Sequence, residues 1–275
     1  MMKKISLIAL FLTLAFCTFT LAQYAEIATE EILSKEEPIF EKKAKDEIEI
    51  SSFGEYSWVK QGSRKGNWNI SINRIAYLVH NMPVAYADFT VRTRFLETDY
   101  NFDFGSYYKI EKGYVHGEVG FGADVDYTYR LKALAEIEYK LIGTLFVNVD
   151  GTFLNYETAN VFVTSPGLVY YFGNHYIAAD YGMSLSEGRD PAYFGMVRGH
   201  LGLNKYLGLW FSGAAGERLY DIFELNSSKQ AGYILSSGIE VTVFEDIKLR
   251  VGLSYSKEKP AFIKRSINFK GSIKF

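Results

Sequence analysis

Residues of this chain alternate between apolar and polar, and no other feature restricts its fold as much. Read back from residue 275, Phe275, Ile273, Gly271, Phe269 and Ile267 are apolar or neutral, while Lys274, Ser272, Lys270, Asn268 and Ser266 between them are polar. A period of two places each set on one face of an extended strand. The same rule sorts "DIKLRVGLSY" into Ile247, Leu249, Val251, Leu253 and Tyr255 against Lys248, Arg250, Gly252 and Ser254. It sorts "HYIAADYGMSL" into Ile177, Ala179, Tyr181, Met183 and Leu185 against Ala178, Asp180, Gly182 and Ser184. In "VAYADFTVRTRF" it separates Ala85, Ala87, Phe89 and Val91 from Tyr86, Asp88, Thr90, Arg92 and Arg94. A chain patterned this way folds as an all-β protein.

Candidate strands fall at 49–59, 66–78, 83–95, 98–109, 112–122, 130–140, 144–156, 160–172, 175–187, 190–203, 205–217, 231–243, 246–258 and 261–275. Many run to about a dozen residues, longer than the usual soluble strand and matched to a tilted crossing of a bilayer. The breaks are unequal: "FEDI" and "LNKY" are tight, whereas "RLYDIFELNSSKQ" at 218–230 is long. Short turns at one rim and longer loops at the other are the habit of membrane barrels. Aromatics gather near strand ends, as at Tyr107, Tyr108 and Tyr114 or Tyr170, Tyr171, Phe172 and Tyr176, where interfacial girdles are expected. The pattern predicts a transmembrane antiparallel up-and-down β-barrel of twelve to fourteen strands. A soluble β-sandwich or lipocalin-like barrel alternates too, and alternation alone does not say which face meets water.

The start of the chain favours export. Met1-Met2-Lys3-Lys4 is a basic head, Ile5 to Leu21 carries no charge, and Thr20-Leu21-Ala22 is a small-x-small site for cleavage, so residues 1–22 read as a signal peptide. Residues 23–48 are rich in Glu and Lys and read as a charged periplasmic tail, with the barrel over 49–275. Cys17, the one cysteine, lies in the leader, which leaves no thiol for a disulfide or metal. Phe16 before it argues against lipidation. A net charge of −2 gives no field for nucleic acid. The compartment so predicted is the outer membrane, with its lipids and lipopolysaccharide as neighbours; the oligomeric state stays open.

The terminal alternation ending on Phe275, with Phe269 and Ile273 behind it, resembles the C-terminal signature of bacterial outer-membrane proteins, which implies recognition by the barrel-assembly machinery. The stretches "GLVYYFGNHY" (167–176) and "FSGAAGERLYD" (211–221) resemble the YaiO family of outer-membrane β-barrels over roughly residues 66–275. Some members of that family carry helical repeats before the barrel. The resemblance implies location and shape more than activity.

If the polar phase faces a lumen, Asp88, Arg92, Arg94, Glu118, Glu136, Glu138, Asp150, Asp180, Arg198, His200, Glu240, Lys248 and Arg250 line it. Such mixed charges either zip across a plugged structural barrel or line a small pore for solutes or an envelope polymer. A lipid-modifying barrel enzyme is the rival reading, and it needs a nucleophile beside a base. Two residues after His80, His116, His175 and His200 stand Met82, Glu118, Ile177 and Gly202, so no serine shares a face at that spacing. His116 and Glu118 share a face and are the weak catalytic candidates; a lumen-facing polar pair that satisfies itself is the better reading of them. His80 and His175 are expected in solvated tight turns. "GEVGFG" at 117–122 reads as barrel packing rather than a phosphate loop. No metal or cofactor is expected, and no long inward loop with an obvious constriction ring is recognisable.

Overall fold

The computed structural model describes residues 46–61, 63–79, 82–95, 97–123, 125–157, 159–218, 230–244, 246–258 and 262–275. The leader with Cys17, the tail as far as residue 45, His80 and the segment 219–229 lie outside the described residues. Fourteen strands follow in order: β1 (Asp46–Gln61), β2 (Arg64–Val79), β3 (Met82–Arg94), β4 (Glu97–Ile110), β5 (Gly113–Ala123), β6 (Leu131–Ile142) and β7 (Leu145–Asn155), then β8 (Asn160–Tyr171), β9 (His175–Ser186), β10 (Ala192–Asn204), β11 (Leu207–Arg218), β12 (Gln230–Phe244), β13 (Ile247–Glu258) and β14 (Phe262–Lys274). Each pairs antiparallel with the next and β14 closes on β1, which makes one closed barrel. This is the upper end of the expected strand count. β1 opens at Asp46, three residues ahead of the expected start at 49.

Closure removes every free sheet edge. At the seam, the Phe275 N–H donates to the Ile48 carbonyl at 3.0 Å and Ile48 N–H returns a bond to Phe275 at 3.2 Å. Connections at the rim where β1 begins and β14 ends are two or three residues long, as at 111–112, 143–144, 172–174 and 205–206; the opposite rim has the longer 124–130, 187–191 and 219–229. All four register shifts, beside Leu78, Lys140, Asn204 and Thr242, lie near the short-turn rim.

The two faces of the wall differ in the sense that only a membrane barrel requires. Large apolar side chains point out and stay exposed, among them Ile177, Leu235, Val251, Leu253 and Phe269. Charged side chains point in and are buried, among them Asp88, Arg92, Arg94, Asp180, Arg198 and Arg250. A soluble barrel would show the reverse, because apolar area is driven out of water. An apolar belt around a polar interior is the arrangement of a barrel that spans a bilayer.

One strand breaks the rule. On β2 the inward set is Trp68, Ile70, Ile72, Ala76 and Leu78, all buried, with Arg74 among them. Inside, Ile70 and Ile72 pack with Phe53, while Trp68 packs with Val59 and Phe95. The outward set begins Lys65, Asn67, Asn69, Ser71 and Asn73. Its outward polar groups satisfy one another: Ser52 Oγ donates to Asn73 Oδ1 at 3.0 Å across the β1–β2 pair, and Asn73 Nδ2 donates to Ser71 Oγ at 3.4 Å.

Candidate functional site

The interior of the barrel holds the chemistry-bearing residues, in three groups. The first lies on β2 to β6 toward the short-turn rim. Arg74 holds Asp88 through two parallel bonds of 2.8 Å, the fork geometry that makes such pairs strong. The same guanidinium lies 3.9 Å over the Tyr86 ring. Tyr86 then links two partners from β5: its hydroxyl donates to Glu118 and meets His116 Nε2 at 2.8 Å. Lys132 pairs with the other Glu118 oxygen. His116 Nδ1 faces Glu136 at 3.4 Å, and Tyr114 donates to the same carboxylate at 2.6 Å. Tyr107 stacks flat on the imidazole, 3.9 Å between centroids.

His116 and Glu118 therefore meet through the Tyr86 phenol and make no direct bond. The contacts described around His116 come from Tyr86, Tyr107 and Glu136, none of them a serine or threonine. Such an enclosed ring, held on every side, positions the wall. Phase alone could not disclose Arg74, Tyr86 and Lys132, because their meeting depends on register across five strands.

The second group sits at the long-loop end, where the turn between β5 and β6 folds into the bore. The sequence showed no long inward loop with a constriction ring, and this short inward turn is a feature it did not disclose. Asp99, fully buried on β4, accepts backbone N–H bonds from Asp126 at 3.1 Å, Tyr127 at 3.1 Å and Thr128 at 2.8 Å. One carboxylate thereby holds the turn by three otherwise orphaned donors. Tyr127 donates to the Arg92 carbonyl, Tyr129 to Asp103, and Arg94 lies 4.5 Å over the Tyr127 ring. Burial pushes both phenols above the usual tyrosine range, so they remain neutral donors. Strand glycines make the room: a Cβ on Gly120 would meet Asp103 at 1.9 Å, and one on Gly122 would meet the Tyr129 carbonyl at 2.2 Å. The "GEVGFG" stretch is packing, as its alternation suggested, and what it packs is this turn.

The third group covers the opposite wall. Arg250 donates to Glu240 at 3.1 Å and lies 5.3 Å over Trp210; His200 approaches Glu240 at 3.9 Å. Arg198 faces Asp180 at 3.8 Å, and Asn148 donates to Asp180 at 3.0 Å. Across the seam Lys264 pairs with Glu55, Ser57 donates to Glu55 at 2.6 Å, and Ser57 meets Ser266 at 3.0 Å. Asp150 is half-buried on the same inner face of β7. Lys248 shares the phase of Arg250 but is exposed near the short-turn rim. His175 is also placed differently from the expectation: it opens β9, is partly buried against Phe172, and its Nδ1 accepts the Gly202 N–H at 3.1 Å. Phe269 and Phe275 point outward and are exposed, with Ile273 half-buried between them.

No protein-family model matches the sequence, and no curated protein is similar to it. Solved structures do share its shape. The Acinetobacter baumannii outer membrane protein Omp33 superposes with a TM-score of 0.50 at 12% identity, over 83% of this chain and 99% of that one. A bacterial polysaccharide outer membrane secretin gives 0.56 at 9% identity, over 83% and 98%. The CymD monoaromatic hydrocarbon channel gives 0.58 at 7% identity, over 84% and 89%. At such identities the likeness speaks for the fold. With its apolar outer belt and its polar, ion-paired interior, the chain has the fold of the bacterial outer-membrane β-barrels.

Proposed function

We propose that this chain is an outer-membrane barrel of the YaiO type that conducts small polar solutes through a narrowed bore. The observation that carries the reading is the tyrosine-bearing turn 125–130, folded inward and fastened to Asp99. A barrel with only a structural task gains nothing from a turn anchored inside its mouth, whereas a constriction over a charged wall selects by size and polarity. The interior charges are paired mostly with neighbours along the wall, as in Arg74–Asp88 and Arg250–Glu240, so the wall stays polar without a strong preference for one sign. The YaiO assignment draws its support from the sequence of residues 167–176, which run from the end of β8 into β9, and of 211–221, whose last three residues lie outside the described ones. Phe275, aligned at the seam, fits an assembly signal. His116 sits inside the bore, away from the outer lipid surface where lipid-modifying chemistry would need it, which favours wall packing over catalysis.

Single-channel recording in planar bilayers tests the reading. Wild type gives small discrete steps, and Asp99→Ala, which frees the turn, gives larger ones. Flat traces from both proteins at all voltages would overturn conduction and leave a structural barrel.

A further inference from the structure

The outer face of the seam carries a row of cations that no ion pair neutralises among the described residues. Across four neighbouring strands at the long-loop end, Lys257 of β13 pairs in register with Ile263 of β14, Ile263 with Lys60 of β1, and Lys60 with Lys65 of β2. The next row toward the membrane holds Tyr255, Arg265, Trp58 and Asn67. Lys60, Lys65, Lys257 and Arg265 are all exposed. None of the four takes part in an ion pair among the described residues. The one outward carboxylate described on these strands, Asp46, lies at the opposite rim. Arg130 at the long-loop rim, by contrast, has its own partner in Glu157 at 2.8 Å.

Lys60 directly opposite Lys65 is a like-charge cross-strand pair, an arrangement that costs stability unless an anion sits on it. Strands lie about 4.8 Å apart, so the row spans roughly 15 Å. Below it come Trp58 and Tyr56, edge to face at 4.9 Å, with Asn67 and Asn69 alongside them. Lower still are Leu253, Ile267, Val251 and Phe269. Read downward, the surface offers positive charge for phosphates, amides and an aromatic face for sugar hydroxyls and rings, and then an apolar slope for acyl chains.

We propose that this face binds a phosphorylated glycolipid of the outer leaflet, with Lys60, Lys65, Lys257 and Arg265 on its phosphates and Trp58, Asn67 and Asn69 on its sugars. The proposal rests on the outer-membrane reading, with the chain ends on the periplasmic side; it does not depend on conduction. A simple phospholipid supplies one phosphate and no sugar, and uses half of the surface. Phosphates bridged by several cations form strong charge-assisted bonds.

Native mass spectrometry of the folded, detergent-solubilised full chain measures it, with bisphosphorylated lipid A, dephosphorylated lipid A, phosphatidylglycerol and inorganic phosphate as separate probes. Bisphosphorylated lipid A is expected to bind, and Lys60→Gln, Lys65→Gln, Lys257→Gln and Arg265→Gln combined to weaken it by about tenfold or more. The Lys60→Gln, Lys65→Gln double variant loses part of that affinity and serves if the fourfold one does not fold. Lys109→Gln with Lys112→Gln, at the opposite rim, leaves binding unchanged. Equal binding of the dephosphorylated glycolipid, phosphatidylglycerol or free phosphate to wild type overturns the proposal, as does full binding by the charge-depleted variants. Flat current traces would end the conduction reading and leave this measurement standing, while soluble fractionation of the chain in cells would end the membrane reading itself.

Discussion

β2 and β9 face the same two environments, yet their polarity differs. β9 sets Ile177, Ala179, Tyr181 and Leu185 outward and Asp180 and Ser184 inward. Along much of β2 the order is reversed, with Trp68, Ile70 and Ile72 inside and Asn67, Asn69, Ser71 and Asn73 outside. Register decides: Asn73 is paired to Ser52 and Ile72 to Phe53, and a slip of one residue would break every ladder bond with both neighbours. A strand's own pattern thus fixes which side chains travel together, and its neighbours fix where they go.

Substitutions can press on that difference. The largest effect is expected for Arg74→Met on β2, which leaves Asp88 as an unmatched buried carboxylate and should cost about 3–5 kcal/mol, read as a lower denaturant midpoint in detergent micelles. On β9, Ala179→Arg places a cation within the apolar belt and should cost about 2–4 kcal/mol, with a matching loss of heat-modifiable barrel on gels. The equivalent insult on β2, Asn69→Arg, falls beside Tyr56 on an already polar stripe toward the outer interface, where the cost should drop to about 0–1 kcal/mol. If Asn69→Arg proved as harmful as Ala179→Arg, the polar stripe would have to be buried in apolar surroundings, and the contrast between the strands would collapse.

Much of the fold was legible because a strand writes its period into the sequence. All fourteen spans were marked within a few residues, and the wet phase of β3, β9 and β13 is the inner one. What was not legible has physical reasons. Arg74 stood on a strand whose apolar set hides inside, so phase gave it the wrong company. Tyr86, His116, Glu136 and Lys132 are brought together by successive pairing from β3 through β4 and β5 to β6, information carried by register and by no local motif. The inward turn looked like any polar break, because the residue that fastens it, Asp99, lies a whole hairpin away. The cation row likewise draws one lysine each from β1, β2 and β13, whose neighbourhood exists only after closure.

That closure also rests on contacts between residues far apart in the chain. Ser57 and Ser266 touch at the seam though 209 residues separate them, and the last backbone bonds involve Phe275 itself. Until those final residues arrive, β1 is an open edge able to pair with any passing strand, and the longest loop in the molecule is still to be closed. Pairing of β14 with β1 is what removes both edges, and a chain that lacks β14 retains two sticky borders in place of a finished wall.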